Sequence, residues 1–231
     1  MNKIDRRRNY YIVIDTETTP FDRTLETVDP LNQLVYDIGF TVTDRNGTIY
    51  ETYSYIVAET WINYRQLMKS AYYADKLPQY YESLRKGERK LASIMTIRQT
   101  VANLIKKYDV KAVVAHNMSF DLTALNRTIR YLTQSKIRYF FPYGVEIYDT
   151  LKMARSTLGK QKSYKSWCET HGYVTKNNRP KFTAEVLYIY LTHKADFKER
   201  HTALADAIIE TYIFSYCTTR HTKGIQRKLY A

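Results

Sequence analysis

Tyr10 to Ile14 is an unbroken apolar run, and charge follows it at once with Asp15 and then Glu17. An aromatic and β-branched run of this length predicts a strand over 10–15 that is buried on both faces. Two further strands are predicted over 34–43 and 48–57. They are joined by Asp44-Arg45-Asn46-Gly47, whose Asn-Gly pair is a hairpin signal. The first three strands should therefore be antiparallel neighbours. After them the period changes. Ile97, Val101, Leu104 and Ile105 recur at helical spacing and predict a helix over 96–108. Ala112-Val113-Val114-Ala115 reads as a short buried strand, followed by a helix over 119–132. The segment 141–148 contains a last strand. Helices are predicted over about 150–158, 163–172, 183–194 and 202–217. Three antiparallel strands, then strands separated by helices, make a mixed α/β sheet.

The segment 58–93 fits this alternation less well. It interleaves Tyr64, Tyr72, Tyr73, Tyr80 and Tyr81 with Arg65, Lys69, Lys76, Arg85, Lys86, Arg89 and Lys90. One reading is a helical insertion, within 58–95, whose tyrosines pack on the domain. The other is a surface that stacks bases and tracks a backbone.

Composition narrows the class. A chain of 231 residues, 44% of them apolar, is expected to form one domain with a sizeable core. Lys and Arg number 36 against 23 Asp and Glu, a net charge of +13. That balance points to a polyanionic partner, nucleic acid first. An anionic membrane surface is the alternative, but no clear basic amphipathic helix supports it. No apolar stretch approaches the ~20 residues of a membrane span. Arg6-Arg7-Arg8 precede an apolar run too short for a signal peptide. Cys168 and Cys217 are single and far apart, which argues against zinc; free thiols in a reducing cytoplasm are the first reading and a disulfide the alternative. A soluble, cytoplasmic protein is expected.

Candidate chemistry begins at Asp15 and Glu17. At i, i+2 on a strand they project to the same side. Two carboxylates that close are stable only if protonated or neutralised by cations, and hard oxygen ligands suit Mg²⁺ or Mn²⁺. Two later stretches belong with them. His116-Asn117-Met118-Ser119-Phe120-Asp121 follows a buried strand, and His201-Thr202-Ala203-Leu204-Ala205-Asp206 opens the last helix.

The order Asp-x-Glu, Asn-x-x-Phe-Asp, His-x-x-x-x-Asp resembles the DEDD exonuclease superfamily, in its DEDDh subgroup of DnaQ-like 3′→5′ exonucleases. The resemblance spans about residues 10–217. Ile38-Gly39 fits the family's second strand, and 148–155 its last strand and following helix. Pro20 stands where the family usually has Gly. The resemblance implies a ribonuclease H-like sheet of five strands flanked by helices, as a single exonuclease domain. It implies two divalent cations, Mg²⁺ or Mn²⁺, held by Asp15, Glu17, Asp121 and Asp206. Asp15 would bridge both ions, Glu17 and Asp206 would hold the one that carries the attacking water, and Asp121 would serve the other. It also implies a single-stranded nucleic acid with a 3′ end as substrate and, for a proofreading role, a separate polymerase as partner.

Four converging carboxylates on a +13 chain point in the same direction, since paired divalent ions stabilise in-line displacement at phosphorus. His201 lies five residues before Asp206, about 140° away around a helix, so the two cannot share one helix face. His201 must then sit in the loop before the helix or at its start, where an imidazole would serve as general base. Thr16, Thr18, Asn117 and Phe120, within the motifs, are candidates for the nucleic-acid face. Asn117 is expected to hydrogen-bond near the site, and Phe120 to pack more than to stack on a base. The other histidines read as structural or exposed. Residues 152–181 hold eight basic residues against one acid, Glu169. Lys160, Lys162 and Lys165 in this run are the candidate phosphate contacts, the alternative being a merely solvated loop. The segment 218–231 is basic without an acid and would add phosphate contacts. A nucleic-acid-binding module on a nuclease-like fold is the rival reading from another class.

Overall fold

In the computed structural model, residues 4–19, 33–64 and 77–220 are described, together with the backbone of residues 227–228. Three strands come first: β1 (Tyr10–Thr18), β2 (Val35–Asp44) and β3 (Ile49–Val57). They pair antiparallel, β1 with β2 and β2 with β3. The turn between β2 and β3 runs through Gly47 at φ +81°, a conformation that favours glycine. Then follow α1 (Ala58–Asn63), α2 (Leu77–Arg85), β4 (Lys90–Ala92), α3 (Ile94–Tyr108), β5 (Ala112–Ala115) and α4 (Met118–Leu132). The chain continues through β6 (Glu146–Asp149), α5 (Thr150–Thr157), α6 (Lys162–Thr170), α7 (Ala184–Thr192), α8 (Ala203–Thr219) and β7 (Arg227–Lys228).

The sheet order is β4-β3-β2-β1-β5-β6-β7. β5 runs parallel to β1 and to β6. Five strands, β3-β2-β1-β5-β6, are the expected centre. Two short edge strands extend them: β4, parallel to β3, and β7, antiparallel to β6. The last central strand lies at the end of the segment expected to contain it. It begins at Glu146, and Phe140 and Phe141 are buried in the loop before it. Their rings pack edge to face, so apolar burial rather than pairing accounts for that run. The irregular segment after β3 is partly helical, but Lys90–Ala92 joins the sheet edge. Tyr72, Tyr73, Arg65, Lys69, Lys76 and Pro20 lie outside the described residues, as does most of the basic 218–231 segment.

The apolar run of β1 divides between two cores. Tyr10, Ile12 and Ile14 face α3 and α4, among Ile97, Val101, Leu104, Leu125 and Ile129. Tyr11 and Val13 face the other way, among Met153, Leu187, Ile209, Ile213 and Phe214 of α5, α7 and α8. This is the period-2 alternation of a strand covered by helices on both sides. Asp15 and Glu17 continue the Tyr11–Val13 face, toward α8. Thr16 continues the opposite face, toward α4.

α8 lies close against β2 because the residues beneath it are small. A Cβ on Gly39 would sit 2.0 Å from the main-chain nitrogen of Leu204. Further along, Thr41 and Thr211 share a hydroxyl–hydroxyl hydrogen bond of 2.8 Å. Fully buried Asp37 receives the Ala203 N–H at 3.1 Å, the Tyr80 hydroxyl at 2.9 Å and the Arg89 guanidinium at 2.6 Å. The start of α8 is therefore tied to β2 and, through Arg89 and Tyr80, to the segment after β3.

Candidate active site

β1 and β2 pair with Asp15 opposite Gly39 and Glu17 opposite Asp37. The first turns of α8 thus stand directly over the two acids of β1. Asp206, in the first turn of α8, is buried there. One oxygen each from Asp15, Glu17 and Asp206 lies within 4.8 Å of the others. Ligand oxygens around one octahedral ion stand about 3–4 Å apart, given metal–oxygen distances of ~2.1 Å, so small side-chain rotations would bring these three onto one cation. The donor set is entirely hard oxygen and fits Mg²⁺ or Mn²⁺.

Asp121 arrives from the other side of the sheet. It sits in the first turn of α4 and is 2% exposed. Its Oδ1 accepts a 2.8 Å hydrogen bond from the Thr16 hydroxyl. Thr16, a candidate nucleic-acid contact, is thus engaged in holding Asp121. Burial pushes the Asp121 carboxyl up to about 7, although the Thr16 hydrogen bond pulls it down. Asp15 is held well above the usual carboxylate range, first by burial and then by repulsion from Glu210, Asp121, Glu17 and Asp206. This strain is what an incoming cation would relieve.

His201 lies in the loop before α8, with φ at +50°, and Thr202 is the N-cap. Its Nδ1 is 3.7 Å from the Glu199 carboxylate. Atoms of Glu199, His201 and Asp206 also gather within 4.8 Å, which puts the imidazole beside the acids without placing it on their helix face.

Asp15, Glu17, Asp206 and His201 open into one cleft of 530 Å³, room for about a nucleotide, whereas Asp121 lies behind Thr16 and does not line it. Asp15, Thr16, Glu17, Asn117, Glu199, His201, Asp206 and Glu210 line it, together with His116, Phe182, Arg155 and Lys181. Asn117 adopts φ +63° at the entry to α4, where its N–H donates to Asp149 Oδ1 and its side-chain oxygen accepts from Ser119. His116 is structural. Its Nε2 is 2.8 Å from the Phe182 carbonyl, which can only accept, so Nε2 carries the proton and Nδ1, 2.9 Å from the Thr150 hydroxyl, accepts. Burial lowers its pKa and keeps it neutral.

Other candidates stand elsewhere. Phe120 is 39% exposed, which corrects its reading as a packing residue. Position i+3 after Asn117 turns it outward while Asp121 turns in. Thr18 ends β1, half-buried. Lys160, Lys162 and Lys165 are exposed around the start of α6 and do not line the cleft. Arg155 and Lys181, from the same basic run, do. Cys168 and Cys217 are buried, free thiols. Among the described residues no helix is long and apolar enough to cross a membrane.

No protein-family model and no curated protein matches the chain. Solved structures do. E. coli Exonuclease I in complex with a 5cy-dT13 oligonucleotide aligns with a TM-score of 0.53 at 11% identity, over 92% of this chain and 41% of that one. The likeness is one of fold. S. pombe Pop2p in its Mg²⁺ and Mn²⁺ bound form aligns at 0.49 and 15% identity, over 93% of this chain and 84% of that one. Exonuclease X in complex with 5′ overhanging duplex DNA aligns at 0.42 and 15% identity, over 91% and 92%. The sheet described above is ribonuclease H-like.

Sequence reasoning missed Glu199 and Glu210. Glu199 stands two residues before His201 in a loop, where no periodicity marks it. Glu210 carried a signal that went unused: it lies at i+4 from Asp206 in a helix otherwise rich in apolar residues.

Proposed function

We propose that this protein is a metal-dependent 3′→5′ exonuclease acting on single-stranded DNA or RNA by a two-metal mechanism. The observation that carries the reading is the approach of Asp15, Glu17 and Asp206 to within 4.8 Å at the floor of a cleft on a +13 chain. Asp15, Glu17, Asp206 and Asp121 would hold the cations. Bound there, divalent ions supply neutralisation of the phosphodiester charge and activation of water.

The chain's own residues do the rest. Thr16 holds Asp121 in place through its hydroxyl. His201, at the mouth of the site, accepts the proton of the attacking water through the ring nitrogen turned from Glu199, and the Glu199 carboxylate beside Nδ1 orients the ring. Arg155 and Lys181 on the cleft wall bind the phosphates that flank the scissile bond. Phe120, exposed beside Asn117, offers a face on which a base can stack.

The test is digestion of matched 5′-labelled DNA and RNA single strands in Mg²⁺ or Mn²⁺, then with chelator. A ladder shortening from the 3′ end, lost in chelator and in Asp15→Asn, is expected. His201→Ala should retain metal binding and lose about 10²–10⁴-fold in rate. Undiminished cleavage by folded Asp15→Asn would refute the assignment.

A further inference from the structure

Glu210 is a fifth acid at the site. It follows Asp206 by one helical turn, so both side chains share a face of α8. It is 3% exposed and lines the cleft. Its Oε2 accepts the His116 N–H at 3.1 Å, and among the described residues Oε1 meets no hydrogen-bond donor.

Asp37 shows what a structural buried acid looks like in this fold. It is as deeply buried, and Arg89, Tyr80 and the Ala203 N–H converge on it. Glu210 has one N–H and no ion pair among the described residues, and its charged neighbours include Asp15, Asp121 and Asp206. A buried carboxylate facing other carboxylates needs a cation from outside the chain to ionise.

We propose that Glu210 is a fifth carboxylate ligand of the divalent-cation site, α8 contributing an i, i+4 Asp206–Glu210 pair. The inference rests on the metal-site reading above. The single hydrogen bond from His116 orients the side chain at the floor of the cleft, as supporting donors orient other metal-binding carboxylates. A five-acid site binds Mn²⁺ more tightly than the four-acid site and leaves one negative charge after two divalent ions are bound.

The experiment is calorimetric titration of the full chain with Mn²⁺ alone, for the wild type, Glu210→Gln, Glu210→Met and Asp15→Asn, each checked for folding by thermal melt. Glu210→Gln keeps the His116 contact, and Glu210→Met removes a buried charge without a large change in volume. Both should weaken Mn²⁺ binding about 10–100-fold and shrink the Mn²⁺-induced rise in Tm. Wild-type affinity in both, with binding lost in Asp15→Asn, would overturn the role of Glu210 and leave the metal site standing. Wild-type affinity in Asp15→Asn as well would overturn the site itself, and Glu210 with it.

Discussion

Gly39 and Leu204 leave no room for a side chain between them. A Cβ on Gly39 would also fall 2.2 Å from the Ala203 carbonyl carbon, and these are backbone atoms that cannot swing aside. Gly39 is the register partner of Asp15, so the contact sets how far Asp206 stands from the acids of β1. Gly39→Ala should cost at least the upper end of the ~1–3 kcal/mol typical of overpacking. It should also weaken Mn²⁺ binding by lifting α8. Urea unfolding together with metal titration checks both. A variant of wild-type stability would show that α8 is not seated here.

Arg89 reaches the same helix indirectly, through Asp37. Its side chain is 11% exposed and that of Asp37 is fully buried. Removing one partner of such a pair leaves an uncompensated buried charge, so Arg89→Leu should lose about 3–5 kcal/mol. Arg89→Leu combined with Asp37→Asn should lose less than Arg89→Leu alone. The two unfolding curves compared with wild type decide this, and a double variant less stable than the single would contradict it.

Stability of the metal-free chain should fall as pH rises from about 4 toward 7. The carboxyls of Asp15, Asp121 and Glu210 sit above their ordinary values, Asp121 at about 7, chiefly through burial. Across this window the folded chain keeps protons that the unfolded chain has released, and stability falls with pH wherever the folded state binds more protons. Asp44 and Glu51 are shifted the other way, since hydrogen-bond donors outweigh their burial, but their effect lies below their ordinary values. The lowered pKa of the single buried His116 opposes the three raised carboxyls only below its ordinary value. Mn²⁺ should abolish the decline and raise Tm most at neutral pH. Thermal melts from pH 5 to 8 in chelator and in Mn²⁺ check the sign, and a chelated chain that gains stability over this range would contradict it.

The cleft-lining cations should matter more for substrate than the exposed lysines near α6. Replacing Arg155 and Lys181 by Ala removes two phosphate contacts and should flatten the slope of log K against log salt by about 1.4 for a single strand. Replacing Lys160, Lys162 and Lys165 together should change it less. Binding of a labelled oligonucleotide to the chelated chain at graded salt measures both. The reverse ranking would move the nucleic-acid path onto the face of α6.

Local pattern was enough to place most of the elements. The apolar run at 10–14, the Asn-Gly hairpin and the short strand at 112–115 are determined by neighbouring residues, and they appear within a few positions of where the pattern puts them. The spacing of His201 and Asp206 was equally legible, because helical periodicity alone forbids them one face. Within 141–148 the local pattern did not say where the strand starts, because an apolar residue in a buried loop has the same pattern as a strand start.

The sequence by itself determined which residues carry carboxylates and an imidazole, and on which local elements they sit. Only the tertiary structure decided which of them meet. Asp206 and Glu210 come to Asp15 across a sheet whose second strand is cut down to Gly39 beneath α8, and Asp121 comes from the opposite face through Thr16. Among the described residues, the Lys and Arg side chains that line the cleft are Arg155 and Lys181, although nothing in the sequence sets them apart from the lysines around them. The physical reason is the same in each case. Periodicity reports on neighbours along the chain, whereas the approach of two elements depends on the size of the side chains between them, and those come from segments far apart in sequence.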